Sequence, residues 1–136
     1  LLIEVEIYIH KVRYYESDAM GITHHSNYIR FMEEARIDAL DRAGYGFEKM
    51  EADGVSSPVV SLSVNYRRPT KFQEEISIEL KSLVLDSVKV RFAYKMYFGD
   101  TLVCTAESTH AFYKNGRPLP LSQLYPELCE KLAAEQ

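Results

Sequence analysis

The spacing of apolar residues changes from a period of two to a helical period and back along this chain. Residues 3–15, IEVEIYIHKVRYY, alternate in part, which predicts a strand with Ile3, Val5, Ile7 and Ile9 on one face. From residue 57 onward, alternation returns in four further runs. They are PVVSLSVNYRR, EISIELKSLVL, SVKVRFAYKMYF and TLVCTAESTHAFY. Turn signals between the later runs predict hairpins and therefore an antiparallel sheet.

One long amphipathic helix is predicted between the first strand and the other four, from Asn27 to Ala43. Its apolar residues recur every three or four positions, at Tyr28, Phe31, Met32, Ala35, Ala39, Leu40 and Ala43. Ser26 or Asn27 is the expected N-cap, and Gly44 is suited to a left-handed C-terminal end.

Shorter elements complete the predicted order. The segment YGFEKMEADG predicts a short second helix or an irregular crossing that ends near Gly54. We expect a loop at KNGRPLPLSQL and a terminal helix from Ser122 to Ala134 with Pro126 in its first turn.

This order of elements predicts an α+β domain. A helix with a single apolar stripe must be covered, and an antiparallel sheet of about five strands wrapped around it is the simplest arrangement. The length of 136 residues suits a single domain spanning 1–136.

Composition and charge narrow the class of protein. A net charge of -4 argues against a nucleic-acid-binding protein. Cys104 and Cys129 form no CxxC motif, so a reducing cytoplasm is expected. No apolar run approaches the ~18 residues of a membrane span, and the alternating start is unlike a signal peptide.

Candidate chemistry lies in ESDAMGITHHSNY, just before the long helix. The first N–H groups of a helix have no internal partner and can hold an anion or a developing oxyanion. Asp18 is a potential nucleophile or base, and Gly21 would allow a close approach of substrate. The same residues also suit an ordinary turn, and paired histidines are common in surface loops. Neither His10 nor His110 extends them to a usual zinc pattern, so no metal is expected.

The segment YYESDAMGITHHSNYIRFMEEAR resembles the signature of hotdog-fold acyl-CoA thioesterases. It is most similar to the hydroxybenzoyl-CoA thioesterase family, with the short bacterial enzymes associated with the Tol-Pal operon. The matching residues are Asp18, Gly21, His25, Asn27, Tyr28, Glu33 and Arg36. Glu16 and Ser17 replace an aspartate and a threonine of the family pattern. The resemblance covers roughly residues 4 to 120.

This resemblance implies a fold, a reaction and a set of roles. The fold is the hotdog fold, and the reaction is hydrolysis of an acyl-CoA thioester to a free acid and CoA, without a metal or further cofactor. Asp18 is the catalytic nucleophile or general base, and the helix N-terminus at His25 forms the oxyanion hole. The His25 side chain could also assist proton transfer. The implied assembly is a homodimer that pairs sheet edges and further forms a homotetramer.

Substrate-binding residues are expected in two places. Gly21, Asn27 and Tyr28 belong to the signature, and Ser63 lies on the strand that follows the helices. In NYRRPTKF, the cations Arg67, Arg68 and Lys71 either meet the CoA phosphates or form a solvated strand end.

Two other functions are left open by the sequence. An acyl-carrier-protein thioesterase would use the same chemistry on a protein-bound thioester. A non-catalytic acyl-CoA-binding module would keep the fold without the reaction.

Overall fold

The computed structural model describes residues 6–84 and 88–134. The strands are β1 (Glu6–Lys11), β2 (Val55–Ser56), β3 (Val59–Tyr66), β4 (Glu75–Val84), β5 (Lys89–Phe98), β6 (Thr101–Ala111), β7 (Tyr113–Lys114) and β8 (Arg117–Pro118). The helices are α1 (Asn27–Arg42), α2 (Phe47–Ala52), α3 (Leu121–Leu124) and α4 (Pro126–Ala134).

Within the described residues, five strands form one sheet in the order β1-β4-β5-β6-β3, and every neighbouring pair is antiparallel. The long helix α1 lies against β1 and β4. This arrangement confirms the predicted α+β architecture of a sheet combined with one long helix.

The core forms where the predicted alternation meets the helix stripe. The inward residues of the central strands are almost fully buried: Ile76, Ile78 and Leu80 on β4, and Val90, Phe92, Tyr94 and Met96 on β5. On α1, Tyr28, Phe31, Met32 and Ala35 face them. The faces predicted for these three elements are therefore confirmed.

On the first strand, β1, the apolar side chains lie on the exposed face. Ile7 and Ile9 are 51% and 58% exposed, whereas His10 is buried. Polar partners decide this orientation, because the His10 ring lies between the carboxylates of Glu16 and Glu34. Ile7 and Ile9 therefore share one face, as the alternation predicts, and that face is the exposed one. Residues 3–5 lie outside the described residues.

The start of α1 also differs from the prediction. Neither expected cap forms a side-chain cap hydrogen bond, since Ser26 Oγ instead lies 2.8 Å from Nδ1 of His24. Asn27 is the first helical residue, and its side chain binds backward to the preceding loop. The predicted end is confirmed, because Gly44 follows α1 with a φ of +89°.

The C-terminal region holds two corrections. The expected loop contains a hairpin of β7 and β8, turned by Asn115 and Gly116 with positive φ, that joins β2 in a small second sheet. The expected terminal helix is two helices, because Pro126 forces Tyr125 out of the helical conformation.

No helix in residues 6–84 or 88–134 is long and apolar enough to cross a bilayer.

Candidate active site

Asp18 organises the loop that precedes α1. Its Oδ1 accepts hydrogen bonds from the backbone N–H groups of Met20 at 2.8 Å and Ile22 at 3.3 Å. The Asp18 N–H donates to the Ile22 carbonyl, and Gly21 makes the turn possible with a φ of +76°. No described residue donates a hydrogen bond to Oδ2 of Asp18, so one carboxylate oxygen remains available for chemistry.

At the other end of this loop, the backbone N–H of His25 is positioned to bind an oxyanion. The N–H of His24 donates to the Glu16 carbonyl at 2.7 Å, and the N–H groups of Asn27 and Tyr28 bind the carbonyls of His24 and His25. The intervening N–H of His25 has no hydrogen-bond partner among the described residues. His25 lies two residues before the first residue of α1, where the helix dipole favours negative charge.

Glu16 supports this loop from inside the protein. It is 4% exposed, and its Oε1 lies 2.9 Å from Nε2 of His10 and accepts the N–H of Arg13 at 2.7 Å. Nδ1 of His10 lies 3.1 Å from Glu34 on α1. Glu16, which stands where the family pattern has an aspartate, therefore braces the loop from inside the protein.

A cleft of about 430 Å³ opens at this point. It is lined by Asp18, Met20, Ile22, Thr23, His25, Tyr28, Tyr66, Arg67, Arg68 and Pro69. Arg67 and Arg68, which come from the end of β3, are suited to phosphate, whereas Asp18 and His25 belong to the loop before α1.

Two tyrosines frame the cleft. The Tyr66 hydroxyl donates to the His25 carbonyl at 2.9 Å, and the Tyr28 hydroxyl lies 2.9 Å from Oγ1 of Thr70. Burial raises the pKa of both phenols, so both stay protonated at neutral pH. These contacts hold the His25 peptide group in place at the cleft wall.

The structure brings together most of the predicted site residues. Asp18, His25, Tyr28, Arg67 and Arg68 line one cleft, although Tyr66 and the strand before the arginines are about 40 residues from the loop in sequence. All five predicted residues therefore border the same cleft, and their roles stay a prediction.

Four predicted residues have other positions. Gly21 shapes the Asp18 turn without lining the cleft, and the buried Asn27 amide ties Glu16 and His24 together. Ser63 borders a separate depression on the sheet. Lys71 is exposed and lies outside the cleft lining, with its backbone N–H bound to Glu74.

Sequence reasoning missed the residues that complete the cleft. Tyr66 was assigned only to a strand face, and Met20, Ile22 and Thr23 were not selected at all. Thr70, which joins Thr23 and Tyr28 through its hydroxyl, was also missed. Their sequence signal was weak, because each residue type is common in strands and loops.

His10 and His110, weighed as metal ligands, lie in different parts of the fold. His10 binds two carboxylates, and His110 binds Ser108 and the Ser57 carbonyl. The described side chains contain no group of three or more His, Cys, Asp or Glu residues that could hold a metal ion.

Comparisons with known proteins identify relatives of this chain in both sequence and structure. The sequence profile of the thioesterase-like superfamily matches residues 12–132. A candidate esterase of Aquifex aeolicus is 33% identical over 82% of this chain and 87% of its own. A candidate acyl-CoA thioesterase of Bacillus subtilis, YneP, is 29% identical over 86% and 87%. The crystal structure of a DHNA-CoA thioesterase from Staphylococcus aureus has a TM-score of 0.86 at 26% identity, covering 93% of this chain and 87% of that one.

Proposed function

Because the chain belongs to the thioesterase-like superfamily, with the hotdog fold and thioester hydrolase activity of its members, we propose that it hydrolyses acyl-CoA at the Asp18 cleft. The observation that carries this proposal is a single relationship. Asp18, which has a carboxylate oxygen without a donor among the described residues, and His25, whose backbone N–H likewise has no partner in residues 6–84 and 88–134, line the same cleft as two arginines. Acyl transfer needs a carboxylate and an N–H that stabilises the oxyanion, and the two arginines suit the phosphates of a CoA leaving group.

In the proposed reaction, the N–H of His25 donates to the thioester carbonyl oxygen. This bond strengthens as negative charge develops on that oxygen in the tetrahedral intermediate. Asp18 either attacks the carbonyl carbon or removes a proton from the attacking water. The C–S bond then breaks, and CoA leaves as a thiolate that takes up a proton. If water is the nucleophile, the acyl group leaves directly as the free carboxylic acid. If Asp18 is the nucleophile, the acyl group is left as a mixed anhydride on Asp18, and a water molecule then hydrolyses it to the free acid and the Asp18 carboxylate.

Arg67 and Arg68 are the proposed contacts for the CoA phosphates. Their backbone N–H groups both donate to the carbonyl of Val103, which anchors the segment to β6. The segment is therefore held by the sheet, while both side chains line the cleft. Lys71 is a weaker candidate because it lies outside the cleft lining.

A second copy of the chain is the proposed partner at the β3 edge. The strand VVSLSVNY carries no charged residue, and Val59, Val60 and Leu62 are 41–52% exposed. Uncharged apolar edges favour pairing with another strand. The opposite edge, β1, carries charged residues, and its Ile7 carbonyl accepts a hydrogen bond from Arg42. A homodimer through β3, and a tetramer of such dimers, follow from this proposal.

The proposal also includes the domain organisation, the cofactor requirement and the location of the protein. Residues 1–136 act as one hotdog domain that needs no cofactor beyond the CoA of its substrate. We place the protein in the cytoplasm, where the free thiols of Cys104 and Cys129 would stay reduced.

The decisive experiment measures release of free thiol from short aliphatic, long aliphatic and aromatic acyl-CoAs. We expect turnover by the native chain and a loss of roughly a hundredfold or more in kcat for Asp18→Asn. Asp38→Asn, which alters an α1 carboxylate outside the cleft, is the matched control.

A native chain that is inert on every CoA ester would overturn the proposal. The same acyl groups on a carrier protein would then separate a carrier-protein thioesterase from a binding module. Full turnover by Asp18→Asn would instead remove Asp18 from the mechanism.

A further inference from the structure

A second cavity of about 380 Å³ lies between α1, α2 and the segment that leads into β3. Its apolar wall consists of Ile37, Leu40, Tyr45, Phe47, Met50 and Val55. Arg36, Glu51 and Ser57 supply polar groups at the same cavity. No step of the proposed reaction uses these residues.

The guanidinium of Arg36 has no anionic partner in residues 6–84 and 88–134. The side chain is half-buried, and Nη1 donates one hydrogen bond to the Tyr94 hydroxyl at 3.2 Å. Arg36 forms no ion pair with any described residue, and Glu51 of the same cavity lies beyond ion-pair distance. Removing a cation from water without an anion is unfavourable, so the cavity offers a vacant anion-pairing position.

A buried chain of hydrogen bonds holds the arginine in this position. Tyr94 Oη lies 2.6 Å from Ser108 Oγ, which lies 2.9 Å from Nε2 of His110. Burial, aided by the charge of Arg36, lowers the pKa of His110 to about 4, so the ring is neutral at pH 7.

The last acceptor determines the donor and acceptor of each hydrogen bond in this series. Nδ1 of His110 lies 3.5 Å from the Ser57 carbonyl, which can only accept, so the proton is on Nδ1 and Nε2 accepts from Ser108. Ser108 then accepts from Tyr94, and Tyr94 accepts from Arg36. Only one of the five guanidinium N–H groups is used in these described contacts, which leaves several for a ligand.

We propose that this cavity binds a carboxylic acid with an apolar body, its carboxylate paired with Arg36 and its body packed on the apolar wall. A planar guanidinium suits bidentate binding of a carboxylate. Binding itself does not depend on catalysis. That the ligand is the free acid released by hydrolysis, and that the site retains this product, rests on the proposed function.

This cavity is distinct from the Asp18 cleft within one chain. Ser57 lies just before β3, whereas Tyr66 at the cleft ends it. The eight residues of this strand span about 25 Å. Binding at the two places is therefore distinguishable residue by residue.

The test titrates octanoate into the full-length chain by calorimetry, with 1-octanol as the uncharged probe of similar size. Amide chemical shifts locate the bound probe. We expect octanoate to perturb the amides of Ile37, Met50 and Val55. Arg36→Gln should weaken octanoate binding by about tenfold or more and leave octanol binding nearly unchanged.

Three further variants make the result specific. Glu51→Gln removes the opposing carboxylate and should tighten octanoate binding. Ile37→Trp, at a half-exposed wall position, should block both probes by filling the cavity. Arg42→Gln, an arginine of α1 outside the cavity, should leave octanoate affinity unchanged.

Several outcomes would overturn the proposal. They are absence of octanoate binding, equal binding by the native chain and Arg36→Gln, or perturbations confined to the amides around Gly21 and Arg67. Dissociation of an oligomer by Ile37→Trp in a chain that never binds octanoate would instead identify a second copy as the occupant. None of these results depends on thioester turnover, so failure here leaves the proposed function intact.

Discussion

The carbonyl oxygen of Glu16 accepts the backbone N–H of His24 at 2.7 Å. This bond occupies the His24 N–H and leaves the next N–H, that of His25, without a hydrogen-bond partner in the part of the chain that the structure describes. The Glu16 side chain meanwhile binds His10 and the Arg13 N–H. A single buried residue therefore links β1, the Asp18 loop and the start of α1.

Glu16→Gln should lower kcat about tenfold while KM changes less. The amide keeps the shape but loses the charge that pairs with His10, so the loop and the His25 N–H should be held less accurately. Steady-state thiol release gives both constants, and thermal unfolding checks that the fold persists. Glu48→Gln, on exposed α2, is the matched control. An unchanged kcat in a destabilised but folded variant would make Glu16 purely structural.

Replacing Arg67 and Arg68 together by Ala should raise KM for acyl-CoA about tenfold or more, with a much smaller change in kcat. The two cations would meet the phosphates of CoA, which are remote from the reacting carbonyl. KM of the native chain should also rise with salt, and that of the variant should rise less. Lys81→Ala, an exposed cation on β4, is the control. A normal KM in the double variant would refute the phosphate contact.

His25→Gln should retain activity to within about threefold, because the proposed contribution of His25 is its backbone N–H. The exposed ring stacks on His24 at 4.2 Å and meets Tyr66 edge-on, so its side chain is partly a packing element. His24→Gln provides the comparison. A loss of about a hundredfold confined to His25→Gln would assign proton transfer to the imidazole.

The free energy of unfolding should fall on acidification because of His110. Its pKa is lowered to about 4 in the fold, mainly by burial, from an ordinary value of 6.5. The unfolded chain therefore binds the extra proton first, and stability decreases as pH falls from about 6.5 to about 4, by at most about 3 kcal/mol. Below pH 4 this group contributes no further change.

Chemical denaturation across that pH window measures the effect. His110→Gln should be less stable at neutral pH, since it disturbs the bonds to Ser108, yet its stability should change less between pH 6.5 and 4 than that of the native chain. Identical pH slopes for the two proteins would contradict the assignment to His110.

Leu62→Lys should shift the chain from dimer to monomer. In a dimer paired through β3, the lysines of the two copies would place like charges opposite each other. The charge would also favour the monomer, in which the β3 edge is solvated. Sedimentation equilibrium reports the mass. Ile9→Lys, on the exposed face of the opposite edge strand β1, should leave it unchanged. A native chain that is monomeric at every concentration would refute the edge pairing.

Where the alternation was strongest, the prediction of elements was accurate. β4 and β5 bury the residues expected, and α1 begins and ends within one residue of its predicted bounds. The pattern was not sufficient where polar contacts decided the conformation. Ile7 and Ile9 face outward on β1 because His10 binds two carboxylates inside, and Ser26 binds His24 in place of capping α1.

The sequence alone was sufficient for the features that depend on local chemistry: the periods of strand and helix, the left-handed residue Gly44 after α1, and a carboxylate just ahead of a helix. Tertiary structure decided which distant groups meet. The end of β3 brings Tyr66, Arg67 and Arg68 to the Asp18 loop. The Glu16 carbonyl binds the His24 N–H, and the His25 N–H is left without a partner among the described residues. The reason is physical. Apolar periodicity reports the type of element and which residues share a face, whereas the partner of a buried polar group depends on strand order and register, which no local pattern encodes.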